Sequence, residues 1–137
     1  MPEPLEADTH AACAQALDRL LMPPAVWFTY PAGAVQLSPQ QMARYSRLGL
    51  KRGLPDIWVL HQGTYCIELK RRGAGRLSKT TIGRMKSGAP RILIGQDEMF
   101  PRLLAAGVKD IAICHSVDEV LSALQRWQVP VRGRIAA

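Results

Sequence analysis

A chain of 137 residues is the size of one domain and can bury a core without disulfides or a structural metal. Apolar residues make up 47% of it, with no run long enough to span a bilayer, which excludes a membrane-spanning helix and a low-complexity tail. The formal net charge of +7 suits either a polyanionic partner or simply a soluble surface.

The first expected element is a helix from about Leu5 to Leu21, where Leu5, Cys13, Leu17, Leu20 and Leu21 form an apolar stripe that stops at Pro23-Pro24. The acidic start Met1-Pro2-Glu3-Pro4-Leu5-Glu6 lacks the basic and apolar regions of a secretory signal, so a cytoplasmic location is expected. Ala25 to Tyr30 reads as a strand, with Trp27, Phe28 and Tyr30 expected in the core. Ser38-Pro39 has the pattern of an N-cap followed by proline, opening a helix through Arg44 and Arg47 that ends at Gly49.

Next comes a hairpin, with one strand near Asp56 to Leu60 and a second near Thr64 to Lys70. A three-residue loop, His61-Gln62-Gly63 with Gly63 left-handed, would set Asp56 opposite Glu68. Lys79 to Gly95 fits no single element: Lys79 to Pro90 reads as a basic, flexible excursion, and Arg91-Ile-Leu-Ile is apolar enough for a strand. Gln96 to Ala106 is helical, with Pro101 near its start and Gly107 at its end. Ile111 to Cys114 is a short strand, and Ser116-Val-Asp-Glu119 is a capping box opening a last helix to about Trp127. Val131 to Ala137 is expected to be a mobile tail. Alternating strands and helices give an α/β class, a mixed sheet flanked by helices in a single domain, residues 1–137.

Cys13, Cys66 and Cys114 are odd in number and in no ligand spacing, so they are expected as small buried residues. His10, His61 and His115 are equally scattered, so a zinc site is not expected. Charge is distributed unevenly. Between Arg44 and Gly95 the bases are Arg44, Arg47, Lys51, Arg52, Lys70, Arg71, Arg72, Arg76, Lys79, Arg84, Lys86 and Arg91, whereas the only acids are Asp56 and Glu68. Carboxylates isolated in a basic belt suit a divalent cation held where a phosphate is drawn in. Glu68 and Lys70, two apart on a strand, share a face with Asp56 in the register above, while Ile67 and Leu69 face the core. Read without that register, the same residues are a surface Asp and an exposed Glu–Lys pair.

Pro55-Asp56 followed by Glu68-Leu69-Lys70 resembles the signature of the PD-(D/E)xK nuclease superfamily. Gly49-Leu-Lys-Arg-Gly-Leu-Pro-Asp56, Cys66-Ile-Glu-Leu-Lys70, Gly75-Arg-Leu-Ser78, Gln96 and Cys114-His-Ser-Val-Asp-Glu-Val120 together resemble its VRR-NUC branch, including short bacterial and phage members, over roughly Glu6 to Trp127. The resemblance implies a restriction-endonuclease-like core with a catalytic hairpin. It implies Asp56, Glu68 and the Leu69 carbonyl as ligands of Mg²⁺ or Mn²⁺, Lys70 as the catalytic lysine and Gln96 as a further site residue. The family's first-helix acid aligns best with Glu6, with Glu3 and Asp8 as competitors; an acid-rich helix start explains Glu6 equally well. The implied activity is DNA hydrolysis by a homodimer without an organic cofactor, either structure-selective like a Holliday-junction resolvase or general like a phage or defence nuclease. One departure stands out: Lys79 to Gly95 separates Gln96 from the Gly-Arg-Leu-Ser segment, which suggests a basic insertion.

Candidate DNA-contacting residues are Arg44, Arg47, Lys51 and Arg52 before Asp56, then Arg71, Arg72, Arg76, Lys79, Arg84, Lys86 and Arg91. The rival reading is a basic nucleic-acid-binding module without catalysis, which predicts no metal dependence. A basic subunit that binds an acidic protein has no specific motif in its favour.

Overall fold

The computed structural model describes residues 6–30, 37–73 and 76–133. Four helices and six strands occur among them, in the order α1 (Glu6–Leu20), β1 (Val26–Thr29), α2 (Pro39–Arg47), β2 (Ile57–Leu60), β3 (Thr64–Leu69), β4 (Thr81–Arg84), β5 (Pro90–Leu93), α3 (Gln96–Ala105), β6 (Val108–Cys114) and α4 (Val117–Arg126). The chain is therefore mixed α/β. A central sheet has the strand order β1-β2-β3-β6, and β4-β5 form a separate two-stranded ribbon. The sheet is mixed because β1, β2 and β3 pair antiparallel whereas β3 and β6 pair parallel. That parallel pair needs a crossover, and the ribbon and α3 supply it.

Strand alternation divides the sheet into two faces. Ile57 and Val59, Ile67 and Leu69, and Ala112 and Cys114 turn to one face, where Cys13 and Leu17 of α1 and Val120, Ala123 and Leu124 of α4 cover them. Full burial of a side chain such as Leu17, Ile57, Ile67 or Leu124 contributes about 1.5 to 3 kcal/mol, so this layer provides most of the stability. The three cysteines are free and buried, as expected. Burial pushes the Cys13 thiol up to about 11 and those of Cys66 and Cys114 up to about 12, which leaves them inert.

Caps follow the expected chemistry. Ser38 accepts from the Gln41 N–H at 3.1 Å while the Gln41 carboxamide oxygen accepts from the Ser38 N–H at 2.9 Å, closing a capping box on α2. Ser116 Oγ accepts from the Glu119 N–H at 3.2 Å. No described helix is long and apolar enough to cross a membrane.

Five expectations need correction. Thr81–Arg84 is a strand in what reads as a flexible excursion; it pairs antiparallel with Pro90–Leu93, where the apolar run from Arg91 already suits a strand, and Ile82 meets Ile92 across a turn that Gly88 permits. Strand β6 starts at Val108, three residues early, since it pairs along the whole of β3. Pro101 is the sixth residue of α3, well past its start, and the helix continues through it. Phe28 is 44% exposed and stacks on Trp58 at 6.1 Å on the face away from the main core, while Trp27 packs against that core. Val131 is tied down by a bridge to Leu21 and the Arg132 N–H donates to the Leu20 carbonyl at 2.7 Å; the rest of the expected tail, 134–137, lies outside the described residues.

Candidate active site

The β2–β3 turn sets the site. Leu60 pairs with Thr64 and Ile57 with Ile67, leaving the three-residue loop His61-Gln62-Gly63, so the register continues to Asp56 opposite Glu68. Positive φ is shared by Gln62 at 51° and Gly63 at 139°, so the left-handed residue is Gln62 and not glycine alone. Two further contacts hold Asp56 at the end of β2. Its carbonyl accepts from the Tyr30 N–H at 2.9 Å and the Thr29 hydroxyl at 2.8 Å. Its carboxylate Oδ2 accepts from the Leu69 N–H at 2.9 Å, fastening it across to β3.

Glu68 lies beside it on the face opposite the main core and is 2% exposed. Its Oε2 accepts a 2.7 Å bond from Gln96 Nε2 and lies 3.9 Å from Lys70 Nζ. Its Oε1 is buried with no hydrogen-bond partner among the described residues. Burial pushes the Glu68 carboxyl up to about 8, helped by the adjacent Asp56 carboxylate; Lys70 and Gln96 pull the other way. An unsatisfied buried oxygen beside a second carboxylate is costly unless a proton or a cation intervenes.

Gln96 is positioned from the ribbon side. It opens α3, its Oε1 accepts from the Ser78 N–H at 3.1 Å, and its own N–H donates to Ser78 Oγ at 3.0 Å. Asp97 extends this clamp, accepting from the N–H and the hydroxyl of Thr80, both at 2.9 Å. The chains meet closely enough that a Cβ on Gly95 would lie 2.4 Å from the Lys79 carbonyl carbon. Gly53, at a φ of +78°, touches Gly95 from the other side, so a side chain would be excluded there too.

The donor set is hard: two carboxylates, plus the backbone of Leu69, whose side chain faces the core. No group of three His, Cys, Asp or Glu residues able to hold a metal occurs among the described residues. Few protein oxygens suit Mg²⁺ or Mn²⁺, which retain water ligands, better than the crowded shell of Ca²⁺ or the nitrogen and sulfur ligands of zinc. The side chains of Glu6 and Glu3 lie outside the described residues, and Asp8 is exposed on α1 without joining the two carboxylates.

A cavity of about 250 Å³ opens beside this site, with Asp56, Gln96, Ser78, Lys51 and Arg52 in its lining. It shares Met42, Ser46 and Arg52 with a second cavity of about 550 Å³ between α2 and the ribbon, which Arg47, Arg84 and Arg91 also line. The structure thus gathers Arg47, Lys51, Arg52, Arg84 and Arg91 from the basic belt. Arg44, Arg71, Arg72, Arg76, Lys79 and Lys86 line neither cavity. Arg72 instead acts with His115 in lowering the Glu119 carboxyl, against the effect of burial.

Sequence reasoning missed the clamping role of Ser78, the Thr80–Asp97 link, and the bonds from the Tyr30 hydroxyl to Lys51, at 2.6 Å to its N–H and 3.1 Å to its carbonyl. The serine was legible only as part of a motif, and the tyrosine reads as an ordinary core aromatic. No protein-family model matches the chain, and neither curated proteins nor solved structures give a significant match.

Proposed function

We propose that this chain is a metal-dependent DNA endonuclease with a restriction-endonuclease-like core and a VRR-NUC-like motif set. The observation that carries the reading is the buried Glu68, with an unpartnered Oε1, held beside Asp56 and within reach of Lys70 and Gln96. A protein gains nothing in stability from two adjacent acids in a dry setting, so their retention points to a ligand that neutralises them.

Asp56, Glu68 and the Leu69 carbonyl would hold one or two Mg²⁺ or Mn²⁺ ions. Such an ion supplies a nucleophilic water at neutral pH and neutralises charge on the phosphoryl group. The protein residues do the rest. The Leu69 N–H fixes the Asp56 carboxylate, and Gln96, itself held by Ser78, fixes that of Glu68. Lys70, half-buried next to Glu68, places a positive charge where the phosphorus centre gains negative charge during in-line attack. Lys51 and Arg52 at the mouth draw in the phosphate backbone. A symmetric homodimer belongs to the same reading, because two centres are needed to cut two strands, and sedimentation velocity would test it.

The test is cleavage of labelled four-way junction, flap, single-stranded and linear duplex DNA with Mg²⁺, Mn²⁺ or EDTA. Cutting that needs metal and is lost in Asp56→Ala and Lys70→Ala is the expected result. A folded wild-type protein that binds these DNAs and cuts none of them with either ion would overturn it.

A further inference from the structure

The groove between α2 and the ribbon is not explained by the hydrolytic centre. Arg47 and Arg52 lie on its helix side and Arg84 and Arg91 on its ribbon side, while Met42 and Leu93 contribute apolar surface. Among the described residues no carboxylate lines it, and it shares Met42, Ser46 and Arg52 with the smaller cavity that Asp56 and Gln96 line. Guanidinium groups suit phosphates, and the apolar side chains of Met42 and Leu93 in the same lining offer contact area to an unstacked base. A duplex keeps its base faces inside its stack, so only an unpaired strand can lay a base against Met42 and Leu93 while its phosphates meet the arginines.

We infer that this groove is a track for an unpaired DNA strand, leading its backbone to the Asp56–Glu68 centre. The inference rests on the nuclease reading for its direction but not for its binding chemistry. The ribbon forms one wall and α2 the other, and Ser78, Thr80 and Asp97 hold the ribbon base against the site, so strand and centre keep a fixed relation. The substrate class is DNA with a single-stranded segment several nucleotides long, such as an overhang, a flap or an opened junction arm.

Binding in EDTA tests it without cleavage. Fluorescence anisotropy is measured on the full chain with a blunt duplex, the same duplex carrying a ten-nucleotide overhang, and poly-glutamate as competitor. Wild type is expected to favour the overhang by about tenfold. Arg47→Ala/Arg91→Ala should abolish that preference and flatten the dependence of log K on log salt by about 1.4, since each phosphate contact to a single strand contributes about 0.7. Ala43→Glu, an exposed α2 position on the groove that tolerates the change, should also abolish the preference. Arg19→Ala/Lys109→Ala, with the same charge loss on surfaces away from the groove, should keep it. Equal affinity for blunt and overhanging DNA, equal losses in both double variants, or displacement by poly-glutamate as effective as by a charge-matched oligonucleotide would each overturn the track. A protein that prefers overhangs yet never cuts retains the track and loses the nuclease reading; one that cuts with metal but ignores the overhang does the reverse.

Discussion

Glu68 makes the stability of the metal-free protein fall with rising pH, contrary to the usual behaviour of a carboxylate. Burial first, then the adjacent Asp56 carboxylate, move its carboxyl from 4.5 to about 8. At neutral pH the native state therefore keeps a proton that the unfolded chain has released. For an acid raised in this way the favourable contribution is complete below pH 4.5 and disappears as pH climbs to about 8. At about 1.4 kcal/mol per pH step the interval amounts to ~5 kcal/mol at most, a large part of the stability of a domain this size. Glu68→Gln keeps the shape and the bond to Gln96 but cannot ionise. Urea denaturation in EDTA at pH 5, 6, 7 and 8 should show the glutamine variant gaining on wild type by several kcal/mol across the series. Mg²⁺ at pH 8 should restore the wild type and leave the variant unmoved. Parallel pH profiles for the two proteins would refute the reasoning, because they would mean that Glu68 ionises as freely in the native state as in the unfolded chain.

Lys70→Ala should lower kcat for DNA cleavage by about a hundredfold or more while DNA binding in EDTA changes little, the pattern of a group acting on the transition state. Ser78→Ala removes the acceptor of the first α3 N–H; about 1 kcal/mol of stability should be lost in urea denaturation, and kcat should fall without a change in KM as Gln96 loosens. Gly95→Ala drives a methyl into the Lys79 backbone and should cost about 3 kcal/mol, read as a lowered Tm. Ser116→Ala removes the α4 N-cap and should cost about 1 kcal/mol, read as a lowered midpoint in urea denaturation.

Local chemistry explains what was legible in the chain. The Ser38 and Ser116 caps, the alternation of Cys66-Ile-Glu-Leu69 and the short loop at Gly63 each act within a few residues, so helices, hairpin and the Asp56–Glu68 face follow from them. Of the ribbon only the run from Arg91 was legible; Thr81–Arg84 was not, because it is short, largely exposed and interrupted by Gly83, and an isolated pair of strands has no buried face to leave a period. Phe28 misled for a related reason: its aromatic character suits a core, but β1 is an edge strand with one face against α1 and the other open. Gathering Arg47, Arg52, Arg84 and Arg91 on one groove depends on how α2 meets the ribbon, which no local pattern encodes.

The spacing between Ser78 and Gln96 becomes intelligible once their pairing is seen. These residues are bonded reciprocally through backbone and side chain, so the chain leaves the site at Ser78 and returns to it at Gln96 at the same point in space. Whatever lies between is a loop with its ends already clamped, and the entropy of closing such a loop rises only slowly with length. A ribbon can therefore occupy residues 79–95 without moving the Glu68 carboxylate, provided that the closest backbone contact has no side chain in the way, which is the role of Gly95. The Ser78–Gln96 pairing thus makes the ribbon a wall beside the centre, and Arg84 and Arg91 of that wall line the groove through which a strand would have to come.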